Sequence, residues 1–324
     1  MSRKAKISGF GAYLPEAIVR NEELTASLDT SDEWIRSRSG IEQRHIADKA
    51  QMTSDLAVVA AEAALRNANM SADDIDLIVC ATTTPDKTFP ATAVYVQQKL
   101  GLAHGAAFDL QAVCSGFVYG LSVVGSMIET GQAHRALLIG AETMSRILDW
   151  EDRSTAVLFG DGAGAIVLEA TEIEDETQPH LMGSYLRSDG SLADLLYVEG
   201  GPSSSDAVGK LQMNGREVYR HAVGKIADAI TCLLQTHQLS VDDIDWFVPH
   251  QANRRIIDGV AQRIGLPAEK TVITVNSHAN TSAASIPLAL CEAAQSGRVK
   301  SGDLIMLESM GGGLTWGANL IRWG

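Results

Sequence analysis

"SADDIDLIVC", residues 71–80, returns in the second half of the chain as "SVDDIDWFVP", residues 240–249. Each copy sets a short acidic turn before an apolar run, and each follows a segment with helical spacing. Ahead of the first, Leu56, Val59, Ala60 and Ala63 recur at i, i+3, i+4 and i+7 behind a Thr53/Ser54 cap. Ahead of the second, Val218, Ala222, Ile226, Ile230 and Leu233 keep a similar stripe. A common helix–turn–strand grammar or a duplication would each produce this pair; the matching order of the surrounding elements favours duplication. Further apolar runs begin at Arg135 ("RALLIG"), Ala165 ("AIVLEA"), Asp303 ("DLIMLES") and Gly317 ("GANLIRW"). Continuous apolar strands alternating with helices predict an α/β fold whose sheets are covered on both faces. The polar stretch "EATEIEDETQPH" (169–180) reads as the joint, giving lobes at 1–172 and 173–324; "EGGPSSSDAVGK" (199–210) reads as a mobile surface loop.

The 324 residues leave room for two such lobes, and 45% hydrophobic against 20% charged residues is an ordinary globular composition. A net charge of −14 argues against general nucleic-acid binding. No window approaches a membrane span, and the opening residues lack a signal-peptide core. The four cysteines, Cys80, Cys114, Cys232 and Cys291, stand far apart with no zinc-like spacing. No disulfide framework, no metal and a cytoplasmic setting are the expectation.

Cys114 is set apart by its place. "AAFDLQAV" (106–113) reads as a strand, and beyond Gly116 the residues Phe117, Val118, Leu121, Val124 and Ile128 keep a helical period that Gly131 would end. The cysteine thus lies where a strand enters a helix, where free N–H groups and the dipole favour a thiolate. Buried inert thiols are the common alternative, which the other three cysteines fit. A nucleophile needs partners, and the second half offers His250 in "VPHQANRR", Asn280 in "SHANTSAAS" and Gly311–Gly313 in "SMGGGLTWG". Singly, each also reads as a structural histidine, a turn residue or a tight turn. "GDGAGA" (160–165) satisfies G-x-G-x-x-A, but the residues after it read as a strand, so close packing between lobes accounts for it better than a dinucleotide site.

"AVCSGF", "PHQAN", "NTSAAS" and "GGGLTWG", in this order, resemble the ketosynthase III family, the β-ketoacyl-acyl-carrier-protein synthases III of the thiolase superfamily. "TSDEWIRSRSGIEQRHIA" from Thr30 and "DWEDRSTAVLFGDGAGAIVLEA" from Asp149 extend the resemblance over essentially the whole chain. It implies a thiolase-like duplicated fold of five layers, αβαβα, with two mixed sheets. It implies a decarboxylative condensation of an acyl-CoA primer, acetyl-CoA foremost, with malonyl-acyl-carrier protein, initiating fatty acid synthesis. No cofactor is implied beyond acyl-CoA as substrate.

The same resemblance assigns roles. Cys114 would hold the acyl group as a thioester, with the Cys114 and Gly312 N–H groups as oxyanion hole. His250 and Asn280 would donate to the malonyl thioester carbonyl as CO2 leaves; Asn cannot act as a base, so the pair suits charge stabilisation. Trp34 and Arg153 would flank the adenine of CoA, with Arg38 near its phosphates. Arg220, Arg254, Arg255 and Arg263 would dock an acidic carrier protein, with Ile256, Ile257, Val260 and Ile264 as the buried stripe beneath. The family is homodimeric, and Phe89 would reach the partner's acyl pocket. Degradative thiolases carry a second cysteine where this chain has "SMGGG". Ala279 replaces a usual glycine and Met310 a usual phenylalanine. Three other readings stand beside this one: a ketosynthase III-like enzyme of secondary metabolism that uses a different primer or transfers acyl groups without condensation; a Cys/His hydrolase, for which "VPHQAN" offers no acidic residue to orient His250; and a catalytically silent binding scaffold, disfavoured because all the reactive positions are present.

Overall fold

The computed structural model of the chain describes residues 1–205 and 207–324. Its strands are β1 (Ser2–Tyr13), β2 (Ala17–Arg20), β3 (Gln43–Ile46), β4 (Leu77–Ala81), β5 (Ala106–Leu110), β6 (Arg135–Thr143), β7 (Asp161–Ile173), β8 (His180–Ser188), β9 (Leu196–Gly200), β10 (Val208–Met213), β11 (Trp246–Pro249), β12 (Leu304–Gly311) and β13 (Thr315–Arg322). Its helices are α1 (Asn21–Leu24), α2 (Asp32–Ser39), α3 (Thr53–Asn67), α4 (Thr92–Lys99), α5 (Gly116–Glu129), α6 (Arg153–Ala156), α7 (Gly215–Thr236), α8 (Arg254–Ile264), α9 (Val275–His278) and α10 (Ser285–Gln295).

Two large sheets repeat one topology. The first is ordered β1-β7-β6-β4-β5 and the second β8-β13-β12-β11. In the first, β5, β4 and β6 are parallel while β7 and β1 join antiparallel. In the second, β11 and β12 are parallel while β13 and β8 join antiparallel. The place of β5 is taken by a single parallel bridge, Phe247 to Thr271. The duplication read from the acidic turns therefore holds for four strands, with β1, β7, β6 and β4 answered by β8, β13, β12 and β11. The turns themselves are superposable in chemistry: the Ser71 N–H and hydroxyl donate to Asp74 at 2.9 and 2.8 Å, and those of Ser240 donate to Asp243 at 2.7 and 2.8 Å.

The apolar runs are continuous because alternate residues serve different cores. Leu77 and Val79 of β4 face a central core shared with α5, α10, β11 and β12, whereas Ile78 and Cys80 face α3 and α4. Ile305 and Leu307 of β12 join the central core, and Leu304 and Met306 pack on α7 and α8. The layers are thus helix, sheet, the α5/α10 pair, sheet, helix. The central pair lies close. A Cβ on Gly140 would come within 2.3 Å of the Ala283 carbonyl oxygen, and one on Gly164 within 2.7 Å of Pro287 Cβ. "GDGAGA" is thereby explained: Asp161 to Ala165 already belong to β7, and Gly164 lets α10 settle on it.

Three local expectations change. Thr53 and Ser54 do not cap α3; they lie in its buried first turn, with Thr53 Oγ1 donating to the Thr84 carbonyl and Ser54 Oγ to Asp86. The cap falls at Met52, whose N–H Asp55 accepts at 2.7 Å. The helix is turned accordingly: Leu56, Ala57, Ala60, Ala61, Ala64 and Leu65 are buried, while Val59 is exposed and Ala63 half-buried. The joint shrinks to residues 174–179, because Glu169 to Ile173 complete the ladder with β1. In the stretch 199–210, Gly200 pairs with Val208 as β9 and β10 form a hairpin, which leaves a shorter connection.

Candidate functional site

Cys114 sits in a single 3-10 turn, Val113–Ser115, between β5 and α5. The turn opens on Val113 at φ +50°, a conformation costly for a β-branched residue and one that clusters at functional sites. The second lobe makes the same bend at Ser282–Ala284, opening on Ser282 at φ +50°, and leads into α10. The two turns abut: a Cβ on Gly116 would lie 3.3 Å from the Ala283 Cβ. Cys114 is held from behind by Ser309 Oγ, which donates to its carbonyl at 2.8 Å. A Cβ on Gly311 would lie 2.7 Å from the Cys114 nitrogen, so only glycine fits there. Among the described residues, the Cys114 N–H meets no backbone acceptor, so it remains able to donate.

His250 follows β11 directly and is anchored by its N–H to the Glu308 carbonyl at 2.8 Å. Its Nδ1 lies 2.6 Å from Ser285 Oγ, which also accepts the Gln251 N–H at 3.3 Å. With one Ser285 lone pair taken by Gln251, we assign the hydroxyl as donor to Nδ1, the tautomer that keeps the neutral ring's proton on Nε2. Burial pushes the imidazole down to about 3, so it is uncharged throughout the neutral range. Asn280 is fixed by its backbone, whose N–H donates to Leu158 at 2.9 Å, and by its side chain, whose Oδ1 accepts the Ser282 N–H at 2.9 Å. That bond turns Nδ2 outward as a donor.

Cys114, His250 and Asn280 line one cavity of about 420 Å³ with Glu308 and Met310. Its wall is apolar, with Leu158, Phe159, Leu196, Met213 and Ile256 among the lining residues. The expectation of a resting thiolate does not hold. Burial pushes the Cys114 thiol up to about 12, against the smaller opposing effect of the Ser282 hydroxyl. Desolvation is the largest cause because the sulfur is withdrawn into the chain, with Cys114 only 4% exposed. The other cysteines fit the inert reading: Cys80 and Cys291 are buried, Cys232 is half-buried on α7, and none of the three lines the cavity.

Trp34 and Arg38 line the same cavity, and the Arg153 guanidinium lies 4.9 Å from the Trp34 ring centroid. Trp34 and Arg153 therefore stack on each other, and a base between them would have to part them. Arg153 is also held by the Asp29 carbonyl at 2.6 Å. Arg220, Arg254, Arg255 and Arg263 are all exposed. Arg220 pairs with Glu217, Arg254 with Asp258, and Arg255 rests on Tyr219. Beneath them Ile256, Ile257 and Val260 are buried, but Ile264 is only half-buried because α8 ends at Gly265. Phe89 is 82% exposed on the lone chain and is not part of the cavity lining. Gly312 follows β12 and packs against the Leu196 carbonyl, from which a Cβ would be 2.6 Å.

Four residues without an assigned role in the sequence reading belong here. Ser282 and Ser285 stood inside "NTSAAS" but marked only small-residue packing. Glu142 accepts from Thr82, Thr83, Thr84 and Ser282. It sits behind the Cys114 turn through Ser282. Glu308 was legible as a lone acid inside an otherwise apolar strand.

Ala279 adopts φ +59°, ψ −162°, fully buried, directly before Asn280. That region is nearly glycine-only, and a side chain there costs roughly 1–3 kcal/mol. Ala279→Gly is expected to gain about 1 kcal/mol after the larger unfolded-state entropy of glycine is charged against it. A melting temperature that stays level or falls would show the backbone to be unstrained.

Residues 108–190 match the family described as 3-oxoacyl-[acyl-carrier-protein (ACP)] synthase III, and residues 234–323 match its C-terminal family. The chain is 57% identical over 321 residues to a β-ketoacyl-[acyl-carrier-protein] synthase III of Rhizobium meliloti, covering 99% of both chains. The crystal structure of the 3-oxoacyl-(acyl carrier protein) synthase III of Pseudomonas aeruginosa is 44% identical, with a TM-score of 0.93, over 99% of this chain and 98% of that one. A priming β-ketosynthase from the R1128 polyketide biosynthetic pathway is 32% identical, with a TM-score of 0.92, over 99% of this chain and 97% of that one.

Proposed function

The chain belongs to the β-ketoacyl-acyl-carrier-protein synthase III family, and from that premise we propose how its cavity carries out the family's reaction. The enzyme is an acyltransferase that condenses an acyl-CoA primer with malonyl-acyl-carrier protein, with loss of CO2, and so initiates fatty acid synthesis. Identity of 57% over nearly the whole chain, against 32% to the polyketide enzyme, favours this over a role in secondary metabolism.

The observation that carries the reading of the site is that an uncharged His250, its Nδ1 taken by Ser285, lines one cavity with Asn280, an arrangement that we assign as two donors, His250 Nε2 and Asn280 Nδ2. Two donors aimed into an apolar cavity stabilise an enolate oxygen, and neither is a base. Carbon dioxide leaves in place of a proton, so no base is needed. In the first half-reaction Cys114 Sγ bonds to the acyl carbon of acetyl-CoA and the CoA thiolate departs, taking the thiol proton. The oxyanion formed on the way is met by the Cys114 and Gly312 N–H groups. A hydrolase would need His250 to activate water, and a ring oriented by a serine hydroxyl and uncharged down to about pH 3 is poorly suited to that.

Several further assignments belong to this reading. Trp34 and Arg153 would part to admit the adenine, with Arg38 near the phosphates. Arg220, Arg254, Arg255 and Arg263 form a basic face, on a chain of net charge −14, for an acidic carrier protein. Phe89 stands exposed and free to reach outward, and by the family resemblance it would enter the acyl pocket of a partner subunit in a homodimer. The chain is read as two lobes, 1–172 and 173–324. It works in the cytoplasm without a resident cofactor; among the described residues no helix is long and apolar enough to cross a membrane.

Incubation with radiolabelled acetyl-CoA, followed by malonyl carrier protein, is the test. Label should appear on the protein and then move to a β-ketoacyl product. Release of the label as free acetate would support hydrolysis instead.

A further inference from the structure

Glu308 is the acid that the reaction as described leaves unused. It is 1% exposed, and its Oε2 is buried without any hydrogen-bond partner. Strand alternation in β12 turns Glu308 and Met310 toward the cavity while Ser309 between them holds the Cys114 carbonyl. Its own carbonyl accepts the His250 N–H. Glu308 is thus tied through its backbone to His250 and through its neighbour to Cys114, and its carboxyl lines the space they share.

Accounting for protons gives this carboxyl a task. In the second half-reaction the malonyl carboxylate departs as CO2 and leaves its bonding pair on the α-carbon. That carbon bonds to the acyl carbonyl, the C–S bond breaks, and Cys114 keeps the pair as a thiolate. The resting residue is a thiol, since burial pushes it up to about 12, so each condensation takes up one proton. His250 holds its Nε2 proton for the enolate and carries no second one. Glu142 is saturated by donors, four residues hydrogen-bonding to it, and does not line the cavity. Arg38 and Arg216 are the remaining charged groups that line the cavity.

We propose that the Glu308 carboxyl is the proton donor of the condensation half-reaction, returning to Cys114, directly or through one water, the proton its thiolate requires. The carboxylate left behind regains a proton from solvent before the next turnover. Burial without donors pushes Glu308 up to about 8, so it is protonated at neutral pH and loses its proton as pH rises through that value. The inference rests on the condensation reading of the site.

The experiment measures the two half-reactions separately, by rapid quench, in the wild type and in Glu308→Gln. The variant should label from acetyl-CoA with wild-type stoichiometry. Its condensation should slow at least tenfold. Wild-type condensation should decline with an apparent pKa near 8, and the variant should lack that limb. A purely structural role would lower the rate without removing the limb. Wild-type rates with an unchanged pH profile in the variant would overturn the proposal. Should the variant fail to fold, the wild type still decides: condensation that stays level from pH 7 to 9 overturns the proposal, and a limb near 8 confined to that half-reaction supports it. Absence of any β-ketoacyl product would instead sink the condensation reading itself.

Discussion

Cys114→Ala is expected to abolish acyl-enzyme labelling and to lower condensation by several orders of magnitude. Loss of a nucleophile in enzymes that form covalent acyl intermediates costs on the order of 10⁶ in kcat. The fold should survive, because the change removes one sulfur from a site bordered by the open cavity and by the small residues of the opposite turn. The variant should still decarboxylate malonyl carrier protein, since His250 and Asn280 remain. Mass spectrometry of the intact protein after exposure to acetyl-CoA is the direct check. An acetyl adduct on the variant would move the nucleophile to another residue, and Cys80 and Cys291 are too buried to take its place.

His250→Ala and Asn280→Ala should give the opposite split. Both should accept label at near wild-type stoichiometry, and each should lose about 10²–10³ in the rate of condensation, the usual cost of one donor to a developing oxyanion. The wild-type rate should show no acidic limb from His250 between pH 5 and 8. The sign follows from burial: the folded ring has its pKa depressed to about 3, so it gains charge only far below neutrality. A limb near 6.5 that disappears in His250→Ala would mean a charged, acid-acting imidazole and would reverse the roles assigned here. Loss of labelling in either variant would mean that both half-reactions share these donors.

Much of this was legible in the residues because chain order and space coincide. The two acidic turns marked the halves, and the strand-to-helix bend marked Cys114. His250 and Asn280 were found through their motifs, although only the fold brings residues 114, 250 and 280 to one cavity. What escaped reading depended on environment. The charge state of Cys114 follows from how deeply its turn is buried, which a strand-to-helix pattern in the residues does not carry. Ser285 matters because its hydroxyl falls between His250 and Gln251, residues far from it in sequence. Glu308 lay unremarked inside the apolar run "DLIMLES", and the burial of its Oε2 without a partner shows only once the neighbouring elements are in place. The face of α3 was misplaced because Thr53 and Ser54 satisfy a cap pattern locally but are drawn inward by Thr84 and Asp86.

The bend at Val113–Ser115 and its twin at Ser282–Ala284 carry Cys114 and Ala283 at their middle positions. One local shape thus serves two tasks. The first copy parks the electrophile, and the second, with a methyl where the sulfur would be, steadies Asn280, one of the two donors that meet the carbanion. Joining both in a single polypeptide fixes their ratio at one to one and their encounter as permanent, so the two trades never have to find each other by diffusion.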